Sequence, residues 1–453
     1  MRRLLGCLFL LILATPLFGQ LADIPDSALL LKVTVVDGRN RPIAGADVAI
    51  SSQPVGLTDE TGTFYYPRKP LAPGDYPVSA GHAGFKTRKQ TVTIPAEASQ
   101  LPVKVRIQLE RQAPPSNVGQ QAPNYRIYQL FYATDRKSTK SKDPETYYSA
   151  DRNDNGQLEL GVCDVSVPVT HQKGVLESPS IFRLEFQYDP EKHVVMRLPT
   201  PTGADPFYEK LSARVKQSTR KEAFVFIHGY NTTFADAARK AVQLAADLSF
   251  DGAPILYSWP SMGQFRGYFS DEKNVAWSVP HLEAFLAQVA ERSGATRIHL
   301  IAHSMGNRAM TGALKEIGKR RTGPKFQQIV LAAPDIRVNQ IRQLEEAMLP
   351  LAHRVTLYAS RNDDALILAR IIDGIARAGE NINDVVVPGI DAVDASAVRT
   401  DFIGHGYFAA STSVISDLRQ LLHEDAAPQT RRLLPAKLAN LLYWVIPASA
   451  PAQ

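Results

Sequence analysis

Ser304 is the residue whose surroundings most clearly predict chemistry. It lies in the run IAHSMG (residues 301–306), where an apolar strand pattern ends and a helical pattern begins. A sharp strand-to-helix turn lifts a serine hydroxyl above the sheet and needs small neighbours; Gly306 is one, and Ala302 stands where glycine is usual. The alternative is an ordinary helix N-cap, a common role for serine. The place of the run at a strand–helix junction favours a nucleophile.

A second run could stabilise the negative charge that nucleophilic attack creates. FIHGYN (residues 226–231) also follows an apolar strand pattern and precedes a helical one. Gly229 allows close backbone approach. Backbone N–H groups after such a strand can join the N–H that follows the nucleophile in an oxyanion hole. The candidate donors are therefore the N–H groups of Tyr230 and Met305, although alone the run would be an ordinary strand end.

The general base is expected among the histidines late in the chain. In folds with such a serine turn the order is nucleophile, acid, histidine, which leaves His405 and His423. His423 lies within a helical pattern, whereas His405 lies in IGHGY (residues 403–407), a loop before the final helix. A lone loop histidine is usually only solvated, but chain order and context favour His405.

Three aspartates are candidates for the acid that orients this histidine. Asp363 and Asp364 follow the apolar strand pattern VTLYA (residues 355–359), and Asp335 follows the preceding strand. A carboxylate there would accept from the second N–H of the histidine and fix its tautomer. Aspartates after strands are also common turn formers. The position after the later strand is preferred, and Asp335 is the alternative.

Several aromatic residues could line an acyl pocket. Residues 257–261 and 268–277 are predicted to form a loop region beside the serine, with Trp259, Tyr268 and Trp277 as candidate pocket residues. Core and loop packing explains these aromatics equally well.

The elements that must position these residues alternate from Glu222 onward. Dense apolar runs such as residues 223–227 and 297–302 alternate with helical patterns such as Phe234–Leu248. Alternation of this kind predicts a doubly wound, mainly parallel sheet with helices on both faces. The predicted catalytic domain spans residues 125–425.

A different pattern precedes it. Short alternating runs with turns about every ten residues predict a small all-β sandwich over residues 28–110. PIAGADV (42–48), TDETGTF (58–64) and PGDY (73–76) resemble the carboxypeptidase regulatory-like, transthyretin-like family. That resemblance implies an accessory domain without catalytic residues. Residues 111–124 are polar and proline-rich, as in a linker.

The first residues predict export. Arg2 and Arg3 precede an apolar run and a small-residue segment, the order of a secretory signal, here assigned to residues 1–22. The mature chain would be periplasmic or secreted. Cys163 would then be its one cysteine, so an intrachain disulfide is excluded. The net charge is +6, and the basic residues are interspersed with acidic ones along the chain. This pattern does not indicate nucleic-acid binding.

Two motifs that resemble metal sites are interpreted otherwise. DRNDNG (residues 151–156) matches half of a calcium loop, but Val162 stands where a bidentate glutamate is needed. His299 and His303 have zinc-helix spacing but lie in a strand pattern. The sequence therefore predicts no metal and no cofactor.

Five runs together resemble an uncharacterised bacterial α/β-hydrolase family whose members are described as esterases or lipases. The similarity extends from about Tyr125 to Leu422. Its motifs here are HGYNTTF (228–234), YSWPS (257–261), HSMGNR (303–308), LAAPD (331–335) and YASRND (358–363). The resemblance implies an α/β-hydrolase fold with Ser304, Asp363 and His405 as the catalytic triad.

The predicted reaction is hydrolysis of a small-molecule or lipid-like carboxylic ester through an acyl-enzyme. The fold also hosts peptidases, amidases and thioesterases, which are the alternatives. A non-catalytic surface-binding protein that uses the sandwich is a further alternative, against which the serine, aspartate and histidine set argues.

The tail, residues 426–453, contains an apolar run from Leu433 to Ile446 that is too short to span a bilayer. A short helix docked on the protein is predicted. The alternative is an interfacial helix that contacts a membrane surface or the cell envelope through Arg431, Arg432 and Lys437.

Overall fold

Alternating apolar residues at the start of the chain build two facing four-stranded sheets. The computed structural model describes residues 29–51, 53–59, 61–67, 72–82, 85–97, 102–111, 124–153, 155–179, 185, 187–263, 268–320, 325–363, 366, 376–398 and 411–447. The strands are β1 (Leu29–Asp37), β2 (Asp47–Ile50), β3 (Gln53–Leu57), β4 (Thr63–Pro67), β5 (Gly74–Gly81), β6 (Phe85–Lys86), β7 (Arg88–Ile94) and β8 (Val103–Arg111). The sheet orders are β4-β1-β8-β6 and β3-β2-β5-β7. Apolar residues of both sheets form one core, which confirms the predicted sandwich.

The second unit contains the large sheet and the helices. Its strands are β9 (Tyr125–Thr134), β10 (Arg136–Ser138), β11 (Tyr148–Arg152), β12 (Glu159–Pro168), β13 (Val195–Met196), β14 (Thr200–Thr202), β15 (Glu222–Ile227), β16 (Ala253–Ser258), β17 (Arg297–His303), β18 (Phe326–Ala332), β19 (Ala352–Ala359), β20 (Ile390–Asp394), β21 (Leu434–Leu438) and β22 (Leu441–Val445). Its described helices are α1 (Ala204–Gln217), α2 (Phe234–Leu248), α3 (Tyr268–Arg292), α4 (Gly306–Gly318), α5 (Ile341–Met348) and α6 (Thr412–Glu424).

The strand order of the large sheet is β13-β12-β9-β16-β15-β17-β18-β19-β20-β22-β21, with β14 paired to β12. Neighbours from β9 to β22 are parallel. One face packs against α1, α3, α4 and α5, and the other against α2 and α6. The predicted α/β class, with a mostly parallel sheet covered on both faces, is confirmed.

The order of the central strands creates a crevice where a site is expected. The chain passes from β15 to β16 on one side and then returns to β17 on the other side of β15. Connections that diverge at the carboxyl ends of neighbouring parallel strands leave a gap there, and open α/β sheets bind ligands in such gaps. The serine turn follows β17 and the glycine turn follows β15, so both lie at this point.

Helix α2 shows why the periodicity predicted its bounds well. Thr233 precedes it, and its side-chain oxygen accepts from the N–H of Asp236 at 3.1 Å, so a helix donor without an intrahelical partner is satisfied. Ser249 ends the helix in the left-handed region, with φ 53°. Most residues of α2 between Thr233 and Ser249 are buried.

Two predicted elements are wrong. Residues 268–277 are not a loop but the first turns of α3, which continues through Pro280 to Arg292. The tail does not form a helix over Leu433–Ile446 but the hairpin β21–β22, which extends the large sheet beside β20. Pro435 opposes a helix interior, and the run YWVI (residues 443–446) favours a strand.

No helix within the described ranges is long and apolar enough to cross a bilayer. The predicted signal, residues 1–22, lies outside those ranges, as do residues 112–123 of the predicted linker.

Candidate active site

Ser304 occupies a strained turn between β17 and α4. Its φ is 51°, in the left-handed region that residues other than glycine rarely adopt. Its N–H donates to the Ala332 carbonyl at 3.0 Å, and its carbonyl accepts from the N–H groups of Asn307 at 3.1 Å and Asp335 at 3.2 Å. Strain of this kind persists only where the surroundings fix the backbone, and it clusters at functional sites.

The interpretation of Ser304 as a helix N-cap is wrong. The N-cap of α4 is Met305, and no side-chain cap bond is made there. Ser304 is buried, with 3% of its surface exposed. The Ser304 side chain therefore does not cap the helix. The nucleophile interpretation requires a hydroxyl that is not engaged in capping.

The glycine turn after β15 packs directly on the serine turn. A Cβ added to Gly229 would lie 2.8 Å from Ser304 Cβ, and one added to Gly306 would lie 2.4 Å from the His228 carbonyl oxygen. Both glycines are therefore needed for this close approach. Ala302, at the position usually held by glycine, is fully buried and fits.

This packing brings the two predicted oxyanion donors into one region. Met305 is the N-cap of α4, and the first N–H groups of a helix have no intrahelical acceptor. Tyr230 follows Gly229, which touches Ser304 as described. The positive end of the α4 dipole also lies here, so an anion formed at this point would be stabilised.

His228 has a structural environment. It is fully buried, its Nδ1 lies 2.8 Å from the Gly229 carbonyl and its Nε2 lies 3.1 Å from Ser258 Oγ. Burial, with the Arg136 guanidinium, lowers the pKa of His228 well below its usual range. This imidazole is therefore neutral at physiological pH and shapes the turn beneath Tyr230.

Arg136 is a residue that the sequence did not reveal. It is 1% exposed and donates from Nη2 to the Thr232 carbonyl at 2.7 Å, from Nε to Ser258 Oγ at 2.9 Å and from Nη1 to the Ser261 carbonyl at 2.9 Å. One guanidinium thus holds the loops that follow β15 and β16. These contacts join residues about a hundred positions apart, so local patterns could not predict them.

Trp259 does not line an acyl pocket. Its indole is fully buried, stacks on His228 with ring centroids 5.1 Å apart, and donates from Nε1 to the His228 carbonyl at 2.7 Å. The core-packing interpretation is therefore correct for this residue.

Trp277 and Tyr268 also have other partners. Trp277 lies on α3, and the Arg152 guanidinium lies over its ring, 4.9 Å from the ring centroid. The Trp277 ring also packs edge-on against His281. The Tyr268 ring packs edge-on against Tyr230 at 5.5 Å, so it does lie beside the proposed oxyanion donor. Among the described residues, Tyr268 is the predicted pocket aromatic that contacts predicted site residues, namely Tyr230 and Asp335.

Asp335 is engaged by two arginines and a tyrosine. Its Oδ1 lies 2.9 Å from Arg308 Nη2 and 2.6 Å from Arg377 Nε, and Tyr268 Oη donates to Oδ2 at 3.1 Å. Asp335 is 1% exposed and Arg377 fully buried. Burial opposes the charge of Arg308, but the Asp335 carboxylate outweighs it, and the pKa of Arg308 is raised. This carboxylate is used as a structural counterion.

Asp363 lies where the later strand ends. It follows β19, is fully buried, and accepts at Oδ1 from the N–H of Leu366 at 3.1 Å. Since β19 is two strands from β17, the spacing between their ends is about 10 Å. A histidine between them could reach both groups. Asp364 and His405 lie outside the described residues.

Within the described part of the chain, no group of three histidine, cysteine or acidic side chains is arranged to hold a metal ion. The groups at the carboxyl ends of β15, β17 and β19 are backbone N–H donors, the Ser304 hydroxyl and the Asp363 carboxylate. They suit nucleophilic attack on a carbonyl group.

Comparisons agree with this architecture. Residues 204–424 match the family described as "Alpha/beta hydrolase of unknown function (DUF900)", and residues 31–110 match the carboxypeptidase regulatory-like domain. No curated protein matches the chain.

Three solved structures show distant likeness. The complex of the phospholipase PlaB from Legionella pneumophila with thio-NAD is 11% identical, with a TM-score of 0.27, over 50% of this chain and 67% of that one. The Bacillus anthracis TIE protein is 10% identical, with a TM-score of 0.16, over 39% and 32%. A puromycin-hydrolyzing peptidase from Mycobacterium tuberculosis is 10% identical, with a TM-score of 0.24, over 81% and 57%. We draw no functional inference from likenesses of this size.

Proposed function

We propose that this chain, which joins a carboxypeptidase regulatory-like domain to a DUF900 α/β-hydrolase domain, is a serine hydrolase that acts on carboxylic esters. The family supports hydrolase activity in general. The observation that supports a serine nucleophile is the left-handed backbone conformation of Ser304. Three backbone hydrogen bonds hold this residue, and it packs against Gly229.

In the proposed mechanism Ser304 Oγ attacks the ester carbonyl carbon while His405 accepts the hydroxyl proton. Asp363 holds the second N–H of the histidine and stabilises the imidazolium. The N–H groups of Met305 and Tyr230 stabilise the oxyanion, and the collapse of the intermediate expels the alcohol, which takes the proton from His405. Water, deprotonated by His405, then releases the acid and regenerates Ser304.

The experiment is hydrolysis of p-nitrophenyl esters of graded chain length by the wild type and by Ser304→Ala. We expect the alanine variant to lose turnover by at least about ten-thousand-fold, because the nucleophile is gone while the fold is kept. Ser293→Ala is the matched control. Ser293 is also fully buried, but it precedes β17, at the opposite end of the strand from Ser304, so activity should be unchanged.

The outcomes separate the alternatives. If Ser304→Ala hydrolyses the esters as fast as the wild type, the serine mechanism is wrong. If the wild type leaves every ester intact but cleaves peptide amides or thioesters in a Ser304-dependent way, the ester assignment is wrong and the nucleophile is correct.

A further inference from the structure

The hairpin β21–β22 exposes leucines at the far edge of the large sheet. Leu434, Leu441 and Leu442 are 55%, 37% and 42% exposed. Single exposed apolar residues are ordinary, but three on one hairpin indicate a contact region. In the strand register Leu434 and Leu441 share one face of the hairpin, and Leu442 lies on the other face. We call residues 434–445 the edge hairpin.

The edge hairpin is well anchored at its base. Trp444 is 5% exposed, pairs with Val393 of β20 and packs in the main core, and Leu438 and Tyr443 pack against the opposite face. A two-residue turn, with Ala439 at φ 51°, joins the strands. The exposed leucines are thus presented by a fixed scaffold.

The charged residues of the chain segment that contains these leucines are all positive. From Ala426 to Pro447 the chain has three arginines or lysines and no aspartate or glutamate. Arg431 is buried against Asp417 at 3.3 Å, whereas Arg432 and Lys437 are exposed. Lys437 lies directly across from Leu442 in the strand register. Exposed leucines next to exposed cations are suited to a surface where anionic groups border an apolar layer.

Pairing with a second copy of the chain is disfavoured. β21 is the edge strand of the sheet, and an exposed edge can add another strand. Pro435 has no N–H to donate to such a strand, and Lys437 places a charge there, both devices that block edge pairing. The exposed side chains, rather than the backbone, are therefore what the edge hairpin offers.

We propose that the edge hairpin docks on an anionic lipid surface. Leu441 and Leu442 flank the hairpin on opposite faces directly after its turn, and both would reach the headgroup–acyl boundary if the turn enters the surface. Arg432 and Lys437 would then interact with the lipid phosphates. This inference is independent of the proposed esterase activity, since none of these residues belongs to the site around Ser304.

The test is co-sedimentation with vesicles of equal parts phosphatidylglycerol and phosphatidylcholine. All variants are expressed and purified in the same way, so that they share one N-terminus. We expect about tenfold weaker partition for Leu441→Ser/Leu442→Ser and about fivefold weaker partition for Lys437→Gln. Val169→Ser/Leu198→Ser is the matched control, because those residues are 60% and 44% exposed elsewhere on the same unit. It should bind like the wild type.

Thermal unfolding and ester turnover check that the variants fold. Should the double leucine variant fail to fold, Lys437→Gln and Arg432→Gln decide the question by the same assay. Equal partition of wild type and folded hairpin variants would overturn the proposal. So would a dimer, seen by sedimentation velocity, that Leu441→Ser/Leu442→Ser dissociates.

Discussion

Asp363→Asn should lower kcat for ester hydrolysis by about ten-thousand-fold and leave the fold intact. The amide keeps an oxygen that can accept from the Leu366 N–H, so the local turn is retained. In the proposed mechanism it no longer offers a negative charge to the imidazolium of His405, and it permits the wrong tautomer. Steady-state kinetics with a p-nitrophenyl ester measure the loss, and circular dichroism measures the fold.

Asp364→Asn is the matched control for this change, since it removes the same charge from the neighbouring position. It should retain activity within a few-fold of the wild type. A loss confined to Asp364→Asn would move the acid by one residue. A loss confined to Asp335→Asn would assign the acid to the preceding strand.

Asp335→Asn should instead destabilise the protein by about 3–5 kcal/mol. The change leaves the guanidinium of Arg377, which is fully buried, and that of Arg308 without their shared carboxylate. Loss of this carboxylate removes part of the attraction that offsets the desolvation cost of the buried guanidinium groups. Urea titration followed by tryptophan fluorescence measures the free energy of unfolding.

Asp205→Asn serves as the comparison for stability. Asp205 pairs with Arg292 at 2.6 Å on the surface, with the aspartate side chain 80% exposed, and surface pairs contribute less than about 1 kcal/mol. If Asp335→Asn costs no more than Asp205→Asn, the buried charge cluster does not have the structural role assigned to it.

Asp335 and Asp363 follow adjacent strands but differ in role. Asp335 is a structural counterion, whereas Asp363 is the proposed triad acid. Asp335 has guanidinium and phenol partners on several sides and also donates its N–H to the Ser304 carbonyl. It thereby links the charge cluster to the strained turn. Chain position alone left both as candidates for the triad acid, and the difference appears in the contacts.

Much of the central sheet could be predicted because its signal is local. Apolar runs followed by helical spacing predicted β15, α2 and β17 nearly to the residue, since β15 is buried along its whole length and α2 and β17 along most of theirs. The serine and glycine turns could be predicted because sharp turns need small residues at fixed positions. Chain order supplied the acid and histidine candidates.

The errors arose where distant contacts decide the structure. Residues 268–277, predicted as a loop, are the first turns of α3, which are fixed by contacts such as Tyr268 with Asp335 and Asp271 with Ser261. The apolar tail became a hairpin because β20 offered an unpaired edge to β22. Trp259 was placed by its stack on His228, a contact that spacing does not reveal.

Covalent labelling can detect Ser304 as an activated nucleophile. The wild type and Ser304→Ala would be treated with a fluorophosphonate probe, digested and mapped by mass spectrometry. We expect one phosphonylated peptide with the adduct on Ser304, absent from the alanine variant. If a catalytically active wild type is labelled at another residue, or is not labelled at all, Ser304 is not the nucleophile.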